Sequence, residues 1–260
     1  MTDATMAQPK APLGVGSIIG EAFSILFGQF LKVVIIGFVP TLIGFLISGV
    51  LTGFGVALGT ETQQFTGPGD VIATILSFVI NMVVYSVTTA LLVQLAYDAK
   101  LARPVQIGRY VGPALSAVVP LAIISIVVTI LVGIGFALFI VPGLWVYAVF
   151  AVIAPVIVIE RAGFGGMSRS RALTKEYRWP IVGALILALI CAMLINVVAV
   201  FVVGMIAAAG SIGMIIGVLL FAAISTIGAG FLSIIVALIY ARLREIKEGV
   251  SVDQIASVFD

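Results

Sequence analysis

The sequence predicts an all-α polytopic membrane protein, with six transmembrane helices arranged as three hairpins and short amphipathic helices at the interface. Three observations predict it. Of the 260 residues, 62% are hydrophobic and only 9% are charged, and the mean hydropathy is +1.33, whereas soluble domains hold about 45–50% apolar residues. Several windows carry no charged side chain over the ~20 residues with which a helix crosses about 30 Å of hydrocarbon. All 13 Lys and Arg residues fall in one alternating set of connectors, the distribution by which basic residues mark the cytoplasmic side of a membrane.

Residues 1–12 read as a polar tail containing Pro9 and Pro12, without the short apolar core and small-residue cleavage site of a secretory signal. A single transmembrane domain follows over 13–248. Its first element, 15–30, is a short helix in which Ser17, Glu21, Ser24 and Gly28 make a narrow polar stripe and Ile18, Phe23, Leu26 and Phe27 cover the rest, a pattern for lying in the interface or packing beneath the bundle. The crossings are expected at 31–58, 71–97, 118–140, 144–159, 181–208 and 212–241. The fourth is short; a start at Pro142 lengthens it, and Pro155 should bend it. Gly249 ends the sixth helix, and Ser251 with Gln254 forms a capping box, with Val250 and Ile255 as a staple, for a short amphipathic segment over 249–260. Short helices at 15–30, 105–117 and 164–177, each preceding a pair of crossings, suggest a weak internal repeat around Ala22, Ala114 and Ala172; their irregular spacing leaves insertion or coincidence open.

An even number of crossings places both termini on one side. That side collects Lys10, Lys32, Lys100, Arg103, Arg109, Arg161, Arg169, Arg171, Lys175, Arg178, Arg242, Arg244 and Lys247, while the opposite connectors carry only Glu61 and Asp70. The N- and C-termini are therefore expected in the cytoplasm.

The composition also excludes chemistry. There is no histidine and one cysteine, Cys191, which removes the commonest general base, imidazole metal ligation and any intramolecular disulfide. A net charge of +2 does not suit nucleic-acid binding. No catalytic residue, cofactor or metal is expected, and the protein is read as not an enzyme. None of the six runs holds a central charge, with Lys32 and Glu160 near run ends, so an ion-coupled transporter would lack its usual residues. The strongest candidates for function are Arg169, Arg171, Lys175 and Arg178. If their segment is helical, the last three share one face opposite Leu173 and Tyr177, suited to a phosphate headgroup or simply to topology and anchoring. Asn81, Tyr85, Thr88 and Asn196 are polar positions inside the runs, where hydrogen bonds between helices are their commoner use. Gly49, Gly53 and Ala57, and Gly213 with Gly217, mark small-residue packing faces.

Three stretches carry a resemblance. They are FIVPGLWVYAVFAVIAPVIVIERAGFGGMSRSRALTKEYRWPIVGALILAL over 139–189, GSIIGEAFSILFGQF over 16–30 and YARLREIKEGVSVDQIASVF over 240–259. With Pro142-Gly143, Pro155 before Glu160, and Arg169-Ser170 followed by Leu173-Thr174-Lys175, they resemble the membrane domain associated with glycerophosphoryl diester phosphodiesterases and the YciC-like bacterial inner-membrane proteins. The resemblance implies a bacterial inner-membrane protein of helical fold; the family's phosphodiesterase activity belongs to a separate soluble barrel. The expected function is a membrane scaffold engaging phospholipid or a protein partner, a second copy included. The alternative is a permease or lipid transporter for a neutral or amphipathic substrate, along Asn81, Tyr85 and Thr88.

Overall fold

A computed structural model describes residues 11–207 and 210–249. Among them there is no strand. The helices are α1 (Val15–Gly28), α2 (Phe30–Thr52), α3 (Phe54–Ala57), α4 (Pro68–Lys100), α5 (Ile107–Leu138), α6 (Ile140–Val149), α7 (Ile153–Ile159), α8 (Gly166–Thr174), α9 (Arg178–Ala207) and α10 (Ser211–Glu248). Six stretches are long and apolar enough to cross a membrane, with α6 and α7 together forming the fourth. Their outward faces are apolar: Val50, Ile72, Leu115, Ile130, Met193, Leu194 and Phe201 are all exposed. Water would oppose so much open hydrocarbon, and lipid would not. The chain is a polytopic α-helical membrane protein.

Local chemistry sets the helix ends. Pro68 occupies the first turn of α4, where its missing N–H costs nothing, and the Asp70 carboxylate accepts hydrogen bonds from Thr66 N (2.7 Å), Thr66 Oγ1 (2.7 Å) and Gly67 N (3.0 Å). Gly249, in the left-handed region at φ 65°, ends α10 and donates its N–H to Glu245 O. The expected capping box and amphipathic segment beyond it, like residues 1–10, lie outside the described residues.

Several boundaries differ from expectation. The first crossing stops at Thr52, because Gly53 takes φ 92° and turns the chain into α3. Gly49, Gly53 and Ala57 therefore do not form one helical stripe; a Cβ on Gly49 would meet the ring of Phe54 instead. The short helix expected at 105–117 is not separate but forms the first part of α5, continuous through Pro113 and Pro120. The proposed repeat positions are also unequal, since Ala22 and Ala114 are buried and Ala172 is exposed. The short-helix-then-hairpin plan thus holds in the first and third units and is fused in the second.

The core is organised around α10, whose Phe231, Ile234, Ile235, Leu238, Ile239 and Tyr240 are fully buried. Helices α9, α2, α4 and α1 pack on it. Small residues permit the approach: a Cβ on Gly37 of α2 would sit 2.4 Å from Thr226 Cγ2, and one on Gly230 of α10 would sit 2.6 Å from Val33 Cγ1. The α5–α6 hairpin brings backbone against backbone, with a Gly135 Cβ position 2.8 Å from the Gly143 Cα. Helix α1 packs on α10 and α9 with Ile18, Ala22 and Leu26 buried, and Phe23 meets Phe231 at 4.6 Å between ring centroids.

Candidate functional site

The basic segments converge on one end of the bundle. Lys100, closing α4, binds Glu21 of α1 at 2.6 and 2.8 Å. Tyr177 donates its hydroxyl to Ala11 O (3.0 Å), Arg242 reaches Pro12 O (3.3 Å), and Lys247 donates to Ala172 O (2.9 Å). The start of the described chain, the second and fourth long connectors and the end of α10 therefore share one surface, as an even number of crossings requires.

Five side chains close a ring at this end. Arg169 of α8 makes a two-pronged contact with Glu160, from Nε to Oε2 at 2.8 Å and from Nη2 to Oε1 at 3.0 Å. It also pairs with Glu248. Tyr240 donates its hydroxyl to Glu160 Oε1 (2.9 Å), and Arg244 reaches the Tyr240 hydroxyl (3.4 Å) and Glu248 Oε2 (2.8 Å). The hydrogen bonds that Arg169 donates to Glu160 and, in second place, to Glu248 hold its guanidinium protonated even more firmly than usual against the opposing effect of burial. Arg169, a headgroup candidate on sequence grounds, is thus committed to carboxylates of its own chain. Glu160, expected near the end of its run, is its partner.

The other three candidates are not on one helical face. Helix α8 ends at Thr174; Lys175 is extended (φ −53°, ψ 134°) and Glu176 is left-handed (φ 74°), so the chain turns before α9 begins at Arg178. Leu173 and Tyr177 are buried. Arg171 and Lys175 are exposed and form no ion pair with another described residue. The Arg178 guanidinium lies over the Trp145 ring at 4.7 Å, with Trp179 5.8 Å from Trp145 between centroids. Arg178 Nε is buried without a hydrogen-bond partner. A cation stacked on Trp145 beside exposed Trp179 is chemistry of the headgroup region.

A second feature lies where the fourth crossing breaks. Pro155 lacks an N–H, and its ring crowds the carbonyl four residues earlier, that of Ala151. Helix α6 accordingly stops at Val149 and α7 starts at Ile153. Ile153 N turns to Phe150 O at 3.2 Å, leaving Val149 O without a helical donor. Two fully buried hydroxyls of α8 replace it, Ser170 Oγ at 2.9 Å and Thr174 Oγ1 at 3.1 Å. Beside the break is a cavity of about 190 Å³ lined by Tyr85, Ser125, Thr129, Tyr147, Ala151 and Ser233 among others.

The polar positions expected within the crossings have separate roles. Asn81 Nδ2 donates to Ser48 Oγ (2.8 Å) on α2 and to Ser77 O (2.8 Å), joining two helices. Asn196 bonds Ala192 O within its own helix (2.9 Å), and its amide faces Gly228 of α10. Thr88 is buried with its hydroxyl unpartnered, and Tyr85 lines the cavity. Asn81, Tyr85 and Thr88 share one face of α4 on successive turns, where Asn81 meets Ser48 of α2 and Tyr85 lines the cavity. Ser125, Thr129, Tyr147 and Ser233, which join Tyr85 at the cavity, were missed: they are spread over three helices, and only Ser125 and Thr129, four residues apart on α5, share a helical spacing.

No family model, no curated protein and no solved structure matches this chain. The fold and its outer surface define the class, an α-helical membrane protein of multi-pass type.

Proposed function

We propose that the protein is a non-enzymatic scaffold of the bacterial inner membrane, with both termini cytoplasmic, whose basic end engages anionic phospholipid or an acidic partner through Arg171, Lys175 and Arg178. The observation that carries it is the contrast among neighbouring cations: Arg169 is consumed by Glu160 and Glu248, whereas Arg171 and Lys175 face outward and Arg178 lies on tryptophan. Each basic residue near an anionic surface contributes about 1 kcal/mol. Membership of the phosphodiesterase-associated membrane-domain family, suggested by the motifs described above, is part of this proposal.

The triple variant R171Q/K175Q/R178Q in nanodiscs of mixed phosphatidylcholine and phosphatidylglycerol is expected to retain several-fold less phosphatidylglycerol on delipidation than the parent, with the difference shrinking at high salt. Equal retention removes the headgroup reading. Orientation is tested separately. In a Cys191→Ser background, Gln64→Cys is expected to react with a membrane-impermeant maleimide in intact cells; reaction only after lysis inverts the topology.

A second reading, a permease or lipid transporter for a neutral or amphipathic substrate, is favoured by the cavity beside the α6–α7 break.

A further inference from the structure

Seven hydroxyls from four helices line that cavity: Tyr85, Ser86 and Thr89 on α4, Ser125 and Thr129 on α5, Tyr147 on α6 and Ser233 on α10. Among the described residues Ser86 bonds a carbonyl four residues back in its own helix, as Thr226 and Thr174 do elsewhere, whereas the other six cavity hydroxyls make no hydrogen bond to protein. Ser233 is only 6% exposed. Ala151 also lines the cavity, and its carbonyl, deprived of a donor by Pro155, receives no backbone hydrogen bond among the described residues. Hydroxyls converging on a void inside an apolar bundle are costly if dry. The volume, about 190 Å³, far exceeds the ~10–15 Å³ that one water needs. These groups are arranged for a guest that accepts and donates hydrogen bonds.

Two further observations set the chemistry of that guest. No Asp, Glu, Lys or Arg lines the cavity, so a phosphate or ammonium there would be an uncompensated charge in a low-dielectric site. The cavity also reaches the outer surface of the bundle: Tyr85 and Thr129 line it and are themselves exposed. Their neighbours Val83, Ile126, Val127 and Ile130 are exposed hydrocarbon. The approach therefore runs between α4 and α5 through the acyl region, not through water.

We propose that this cavity is a lateral binding site for the uncharged, hydroxyl-bearing head of a membrane-resident lipid, with its chains remaining in the bilayer against α4 and α5. The hydroxyls of Ser125, Thr129 and Ser233 and the Ala151 carbonyl hydrogen-bond the head, and Tyr85 stands at the entrance. This site is independent of the cationic end. Occupancy does not require that the lipid be transported, so its failure would leave the scaffold reading intact and would remove the observation favouring the second.

The probe is a diacylglycerol with a diazirine close to the glycerol head, photolysed in nanodiscs containing the whole protein, with adducts mapped by mass spectrometry. Adducts are expected on α4, α5 and α6 around the cavity. Unlabelled dioleoylglycerol should compete, and dioleoylphosphatidylglycerol, with the same chains but a charged head, should not. The variant Y85F/S125A/T129V keeps volume nearly constant at two exposed positions and one half-buried one, and should cut the saturable labelling about tenfold through lost hydrogen bonds. Ser125→Leu, which fills the cavity from the same wall, should abolish it while the remaining lipid-facing adducts persist. Labelling spread evenly over the outer helix faces, equal competition by the charged lipid, or unchanged labelling in both variants overturns the proposal.

Discussion

Arg169→Gln is expected to destabilise the basic end of the bundle more than Glu160→Gln, although the two residues face each other. Arg169 serves two carboxylates, Glu160 after α7 and Glu248 at the end of α10. Removing its charge leaves Glu160 with the Tyr240 hydroxyl and Glu248 with Arg244 alone, and the two carboxylates then oppose each other across the space that it filled. Removing the charge of Glu160 leaves Arg169 with Glu248, and Tyr240 can still donate to the amide oxygen that replaces the carboxylate. Hydrogen bonds to charged groups contribute about 1.5–3 kcal/mol each. The arginine and its partners are one-fifth to one-third open to solvent, which screens the loss below the 3–5 kcal/mol of a fully buried pair. We expect about 2 kcal/mol for R169Q and about 1 kcal/mol for E160Q. The double variant should be less harmful than the sum, with a coupling of about 0.5–2 kcal/mol. Unfolding midpoints of the four proteins in one detergent, at low and high salt, measure this. Equal effects of the two single variants would show that the ring does not hang on Arg169.

The ring explains what sequence reading reached and where it stopped. Six crossings were legible because the length of an uncharged run is itself the physical criterion for crossing hydrocarbon. The gathering of Lys100, Arg242 and the 160–178 connector at one end was legible from parity. The centrality of α10 was not. In water, polarity separates the outer face of a helix from the inner, but a crossing helix is apolar on both, so the periodicity that would distinguish Phe231 and Ile235 from Ile215 and Leu219 is erased. Pairing of Arg169 with Glu160 was also hidden, because the two are nine positions apart across the turn at Gly163–Gly165 and no helical spacing links them. The left-handed turn at Glu176 has no glycine to announce it, so the expected cationic face across Arg171, Lys175 and Arg178 came from a helix that ends four residues too early. Pro155 did announce a bend. What it could not announce was the donor pair that the bend would need.

That pair gives the other large expected effect. Ser170 and Thr174 were legible only as part of a basic stretch, yet both side chains are wholly buried and both donate to Val149 O. A carbonyl with two lone pairs tolerates the loss of one donor better than of both. Ser170→Ala alone leaves Thr174 at 3.1 Å, and Thr174→Val alone leaves Ser170 at 2.9 Å, so each single change should cost about 1 kcal/mol. The double variant leaves the Val149 carbonyl with no donor at a buried site, adding its full desolvation penalty of about 1–3 kcal/mol. The expected result is a cycle in which the double loss exceeds the sum of the singles, and in which Thr174→Ser, retaining the hydroxyl, restores most of the stability. Because α8 carries Arg169 as well as this hydroxyl pair, the double variant should also expose the 160–178 segment to protease before the rest of the bundle unfolds. Strict additivity in the cycle, with no early cleavage there, would mean that water satisfies the broken helix and that α8 is held by its ion pairs alone.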